Sequence, residues 1–157
     1  MAVNTRRSFQ VPEIILKYLP KVAPGQRETC NSIDYAFGCF IRSWNTAEIF
    51  LLEEFKVLLL DHSAGIIGLS SIGKGGRTSV VVDIRMILLL AIKAMATKII
   101  VAHNHPSGNI RPSRADIRLT DQLSKACKIV EIELVDHLII APDKFFSFRE
   151  DGSLSIT

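Results

Sequence analysis

Two histidines one residue apart are followed by a turn, a serine and an aspartate in the run His103-Asn-His105-Pro-Ser-Gly-Asn-Ile-Arg-Pro-Ser113-Arg-Ala-Asp116, which holds half of the chain's four histidines. In extended backbone, residues two apart point to the same side, so both imidazoles can face one ion. Pro106 and Gly108 then turn the chain. That turn brings the first turn of the following helix back towards the rings, where Asp116 can supply a third ligand. Two His and one Asp leave one position of a tetrahedral zinc open, as a catalytic site requires. Ser113-x-x-Asp116 ahead of an apolar helical run is also a capping-box pattern that needs no metal. The two roles coexist if Ser113 caps the helix while Asp116 gives one oxygen to the ion.

The elements that must position these residues follow from periodicity and caps. Val11 to Val22 is rich in apolar residues, and Pro12 and Pro20 restrict it to an edge strand. Asn31 or Ser32 caps a helix over Ile33 to Leu51, where Ala36, Phe37, Phe40, Ile41 and Trp44 recur at helical spacing. Phe55 to Leu60 and Gly65 to Ile72 read as a hairpin, followed by the loop Gly73-Lys-Gly-Gly-Arg77, which lacks the Walker spacing and borders the substrate groove. Asp83 caps a helix from Ile84 to Ala96 that is apolar nearly all round, so burial between layers is expected. Lys98 to Ala102 is a short central strand leading into the histidine run. Ser113 opens a helix to about Ile129, Ile132 to Ile140 returns as a strand, and Phe145 to Arg149 closes the chain. Hairpins mixed with helices give an α/β (α+β) class with a mixed β-sheet flanked by helices.

The remaining composition narrows the class. A length of 157 residues suits one core. With 48% hydrophobic and 22% charged residues it reads as an ordinary globular domain. No apolar run approaches the ~20 residues of a membrane span, and no secretory leader is recognisable, so a cytoplasmic protein without a membrane partner is expected. Cys30, Cys39 and Cys127 are odd in number and lack a CxxC spacing, which suits reduced thiols. A net charge of +3 without a basic block gives no dedicated nucleic-acid motif, although nucleic acid stays open as a partner.

HNHPSG followed by PSRAD resembles the JAMM motif of RadC-like proteins. The likeness extends upstream to Glu54-Phe55 in EEFKVLLLD, and downstream to Asp136-His137-Leu-Ile-Ile and Ser147-Phe-Arg-Glu, covering residues 30 to 157. The resemblance implies a JAMM/MPN domain of cytidine-deaminase-like fold over 31–157, after an amino-terminal strand or extension over 1–30. It implies an amide-cleaving metallopeptidase with Zn2+ held by His103, His105 and Asp116. Matching the Glu-Phe step makes Glu54 the general base, with Glu53 as second choice, and Ser113 steadies the oxyanion. Room for the helix-hairpin-helix region of full-length relatives is lacking, which takes support from a role in DNA repair. The implied partner is a protein or peptide substrate whose identity, like the oligomeric state, the sequence leaves open.

Other chemistries fit less well. A zinc nucleobase deaminase needs H-x-E with P-C-x-x-C, and Cys127 has no such partner. The letters His-Asn-His do not make an HNH nuclease, whose residues are dispersed over a different motif. The competing class is a non-catalytic, DNA-associated or scaffold MPN module. His137 inside an apolar strand reads as a hydrogen-bonded structural residue in preference to a fourth ligand. His62, in the hairpin turn, reads as solvated. Arg111, Arg114 and Arg118 form a basic group beside the histidine run, a solvated face or a receiver of acidic substrate.

Overall fold

The computed structural model describes residues 21–77 and 80–154. A 3-10 turn at Pro24–Gln26 precedes helix α1 (Ile33–Ser43), strands β1 (Glu54–Leu60) and β2 (Ile66–Lys74), and helix α2 (Ile84–Lys93). Strand β3 (Lys98–Asn104), helix α3 (Arg114–Ile129) and strands β4 (Glu133–Ala141) and β5 (Lys144–Ser147) complete the order. The sheet runs β2-β1-β3-β4-β5. β3 and β4 are parallel, joined by a crossover through α3, and every other pair is antiparallel, so the class is α/β with a mixed sheet. The edge strand expected over Val11–Val22 lies outside the described residues except for Lys21 and Val22, which are not in a strand.

Central strands covered on both faces must be apolar on both. In β1, Phe55, Val57 and Leu59 enter one core with Ile99 and Val101 of β3, Ile87 and Ala91 of α2, and Leu123 and Cys127 of α3. Leu58 and Leu60 enter the other with Ile100 and Ala102 of β3 and with Ala36, Phe40 and Trp44 around α1. The molecule is therefore three layers, with α1 on one face and α2 with α3 on the other.

Two elements differ from the sequence expectation. α1 stops at Ser43, well before Leu51, because Trp44 turns extended (φ −81°, ψ 140°) and Asn45 folds its side chain onto the Ala47 N–H at 3.1 Å. Lys56 closes that helix end, its Nζ donating to the Ser43 carbonyl at 2.7 Å while lying 4.5 Å from the centre of the Trp44 ring. α2 was expected to be buried all round, yet Met86, Leu89 and Ile92 stand exposed on its outer side, and only Ile87 and Ala91 are fully buried. An apolar circumference does not by itself supply a second layer to cover it. Cys30, Cys39 and Cys127 are free thiols. None of the helices among the described residues is long and apolar enough to cross a membrane.

Candidate metal centre

The site forms where β3 ends. His103 is the second-to-last residue of the strand and His105 lies one beyond it, so the pleat sets both rings on the α2–α3 side. Their Nε2 atoms approach to 3.0 Å. Ser113 begins α3 with a complete capping box: its Oγ accepts from the Asp116 N–H at 3.2 Å, and Asp116 Oδ2 accepts from the Ser113 N–H at 2.7 Å. The box fixes the Asp116 carboxylate, with Oδ1 3.2 Å from His103 Nε2 and Oδ2 3.5 Å from His105 Nε2. One ligand atom from each of the three residues lies within 4.8 Å of the others.

Proton bookkeeping indicates what belongs between them. His105 Nδ1 meets the Asn109 carbonyl at 2.6 Å, and a carbonyl can only accept, so Nδ1 carries a hydrogen and, in the neutral ring, Nε2 has the lone pair. Two imidazole nitrogens at 3.0 Å need either a hydrogen carried by one of them or a metal ion between them. The electrostatics agree. Burial pushes the Asp116 carboxyl up, but the neighbouring His103 and His105 rings and the Ser113 cap outweigh it and hold the group below the usual carboxylate range. The Asp116 hydrogen bond holds His105 above its ordinary value against the pull of burial. Two nitrogens and a carboxylate oxygen on one side of a cavity of about 300 Å³ fit a divalent metal of the zinc type.

Glu53 lines that cavity together with Phe55, Val80, Val82, His103, His105, Ser113 and Asp116. Phe55 pairs with His103 across the antiparallel β1–β3 ladder, and the same register continued two residues further sets Glu53 opposite His105. Burial raises the Glu53 carboxyl above its ordinary value, while His103, His105 and the Val80 backbone N–H pull it down. Glu54 turns to the other face. Its Oε1 accepts from Ser71 Oγ at 2.8 Å and sits 3.5 Å from Lys56 Nζ. The fold thus brings His103, His105, Ser113 and Asp116 together as the sequence suggests, brings Glu53 to them, and keeps Glu54 away.

Asn104, between the two histidines, faces the opposite way and is fully buried. Its Nδ2 donates to the carbonyls of Ile49 at 2.6 Å and Leu52 at 2.9 Å, and its Oδ1 accepts from the Glu54 N–H at 2.8 Å. It ties the segment bearing Glu53 to the strand bearing the histidines. Strand alternation is the sequence signal for that role. From the other side, the Glu53 N–H donates to the Gly76 carbonyl and the Gly75 N–H to the Glu53 carbonyl, which fixes the glycine loop along the cavity rim. His62, Arg111, Arg114 and Arg118 are exposed. His137 is fully buried behind His103 and outside the ligand group.

The capping box makes a prediction of its own. Ser113→Ala removes the acceptor for the Asp116 N–H and is expected to cost about 1 kcal/mol in urea unfolding of the metal-free protein. An unchanged midpoint would mean that the box contributes nothing.

A mixed sheet whose central strand delivers two histidines, met by an aspartate from the following helix, is consistent with a JAB domain. The sequence model of the RadC-like JAB domain matches residues 35–153, and the chain belongs to that family. A UPF0758 protein of Porphyromonas gingivalis is 45% identical over 103 residues, covering 65% of this chain and 45% of the relative. One from Flavobacterium johnsoniae is 40% identical over 100 residues, covering 64% and 44%. One from Haemophilus ducreyi is 35% identical over 139 residues, covering 88% and 60%. The matched region thus spans about half the length of these curated relatives.

Proposed function

We propose that the domain is a zinc-dependent hydrolase that cleaves an amide bond, peptide or isopeptide, with Glu53 as general base. The observation that carries this reading is the convergence of His103 Nε2, His105 Nε2 and the Asp116 carboxylate on a cavity that Glu53 also lines. A metal ion held by these three residues supplies Lewis-acid polarisation of a carbonyl and lowers the pKa of water. Glu53 takes the proton of the attacking water on its carboxylate and returns it to the leaving nitrogen. A carboxyl raised by burial is a better proton acceptor than an ordinary one, which suits that exchange. Ser113 uses its oxygen to accept from the Asp116 N–H, so its single hydroxyl hydrogen is left to donate to an oxyanion in the cavity. Val80, Val82 and Leu119 supply apolar wall that limits water around the reacting atoms.

The test is a survey of new amino termini and newly freed lysine amines in native lysate treated with zinc-loaded protein or with its His105→Ala variant. Cleavages made by the parent and absent with the variant are expected. An identical set from both proteins contradicts the proposal and favours a non-catalytic scaffold.

A further inference from the structure

Thr120 lies one helical turn after Asp116 on α3, and His137 pairs with Val101 in the parallel β3–β4 ladder, on the same face as His103. The Thr120 hydroxyl has one hydrogen and two close partners: the Asp116 backbone carbonyl at 2.7 Å and His137 Nδ1 at 2.6 Å. The carbonyl can only accept, so the hydrogen goes there and the Thr120 oxygen accepts from His137 Nδ1–H. The other nitrogen of that ring, Nε2, then presents a lone pair to His103 Nδ1 at 2.9 Å. His103 must place its hydrogen on Nδ1, which leaves Nε2 bare on the side of Asp116 and His105.

We propose that His137 is a positioning residue for the metal site, accepting the Nδ1–H of His103 and so holding that ring in the tautomer whose Nε2 lone pair faces the ion. The inference rests on the metal-site reading above. The chain of hydrogens runs from His103 through His137 and Thr120 to the carbonyl of Asp116, so the helix residue that ligates with its side chain also anchors the relay with its backbone. Ligating histidines are commonly held by a carboxylate, a carbonyl or water. Here the holder is an imidazole. Among the described residues, neither of its ring nitrogens is bonded to a carboxylate. It is fully buried, stacked on Phe148 at 4.8 Å with Phe55 at 5.5 Å. Full burial without a carboxylate partner disfavours an imidazolium, in keeping with a neutral acceptor. A neutral holder leaves Asp116 as the one anion in the ligand set.

Zinc affinity by chelator competition, measured beside thermal unfolding of the metal-free protein, separates this role from packing. His137→Phe keeps an aromatic ring between Phe55 and Phe148 but loses the acceptor, and is expected to bind zinc about 10- to 100-fold more weakly. His137→Gln packs worse, yet its side-chain carbonyl can accept the His103 hydrogen, and is expected to bind within about threefold of the parent. Zinc affinity that follows thermal stability across the two variants, or His137→Phe binding as tightly as the parent, would overturn the proposal. The tautomer can also be read without any variant, from long-range proton–nitrogen NMR of the metal-free parent at alkaline pH. Hydrogen on His103 Nδ1 is expected, and hydrogen on Nε2 overturns the relay. A parent that binds no zinc but shows the Nδ1 hydrogen would sink the metal-site reading while leaving the relay itself standing.

Discussion

Glu53→Gln is expected to keep the bound metal and the unfolding temperature of the parent while slowing amide cleavage by about two to four orders of magnitude, the usual contribution of a positioned proton acceptor. The substitution preserves shape and removes the acceptor. Glu54→Gln, made beside it, is expected to retain nearly the full rate, because Glu54 faces Ser71 and Lys56 on the opposite side of β1. The comparison is sharp because the residues are neighbours in sequence, and alternation sends them to different faces. The substrate for the assay comes from the lysate survey. Loss of rate at Glu54 alone would reverse the assignment of the base, and loss at neither would remove the hydrolase mechanism.

His103→Ala, His105→Ala and Asp116→Ala are each expected to remove stoichiometric zinc from the purified protein, whereas His62→Ala keeps it. Each of the three supplies one of the converging ligand atoms, while His62 is exposed in the β1–β2 turn. The same competition sets a pH dependence. His105 has its value raised by Asp116 in the metal-free protein, so its proton is held to higher pH than an ordinary histidine's and competes with the ion there. Apparent zinc affinity should therefore start to fall on acidification at a higher pH than an unperturbed histidine would give, and rise with pH until His105 is neutral. Elemental analysis by mass spectrometry reads both results. Equal zinc in all four variants would break the ligand assignment.

The grouping of His103, His105, Ser113 and Asp116 was legible because its signals are local. His-x-His at a strand end and Ser-x-x-Asp at a helix start each fix geometry within a few residues, and the capping box formed as its spacing suggested. The glutamate was harder. Parity in β1 carries no label of face, since Phe55, Val57 and Leu59 are buried on one side and Leu58 and Leu60 on the other. Only the pairing of Phe55 with His103 says which side holds the two histidines, and pairing is not written in one strand. The relay through Thr120 and His137 was out of reach for the same reason, as it joins β3, α3 and β4. His137 was nonetheless read as a hydrogen-bonded residue of the interior, and it is one. The early end of α1 depends on the Asn45 turn and on Lys56, which arrives from the next strand. For α2, an all-round apolar pattern suggested a covered helix, while among the described residues Met86, Leu89 and Ile92 stand exposed on its outer side.

The central claim is that His103, His105 and Asp116 hold one metal ion. Anomalous diffraction at the zinc edge from crystals of the zinc-loaded protein tests it most directly. The account predicts one strong peak at about 2.0–2.2 Å from Nε2 of both histidines and from an Asp116 carboxylate oxygen. Zinc bound elsewhere, with those three side chains meeting one another directly and no peak among them, would contradict it.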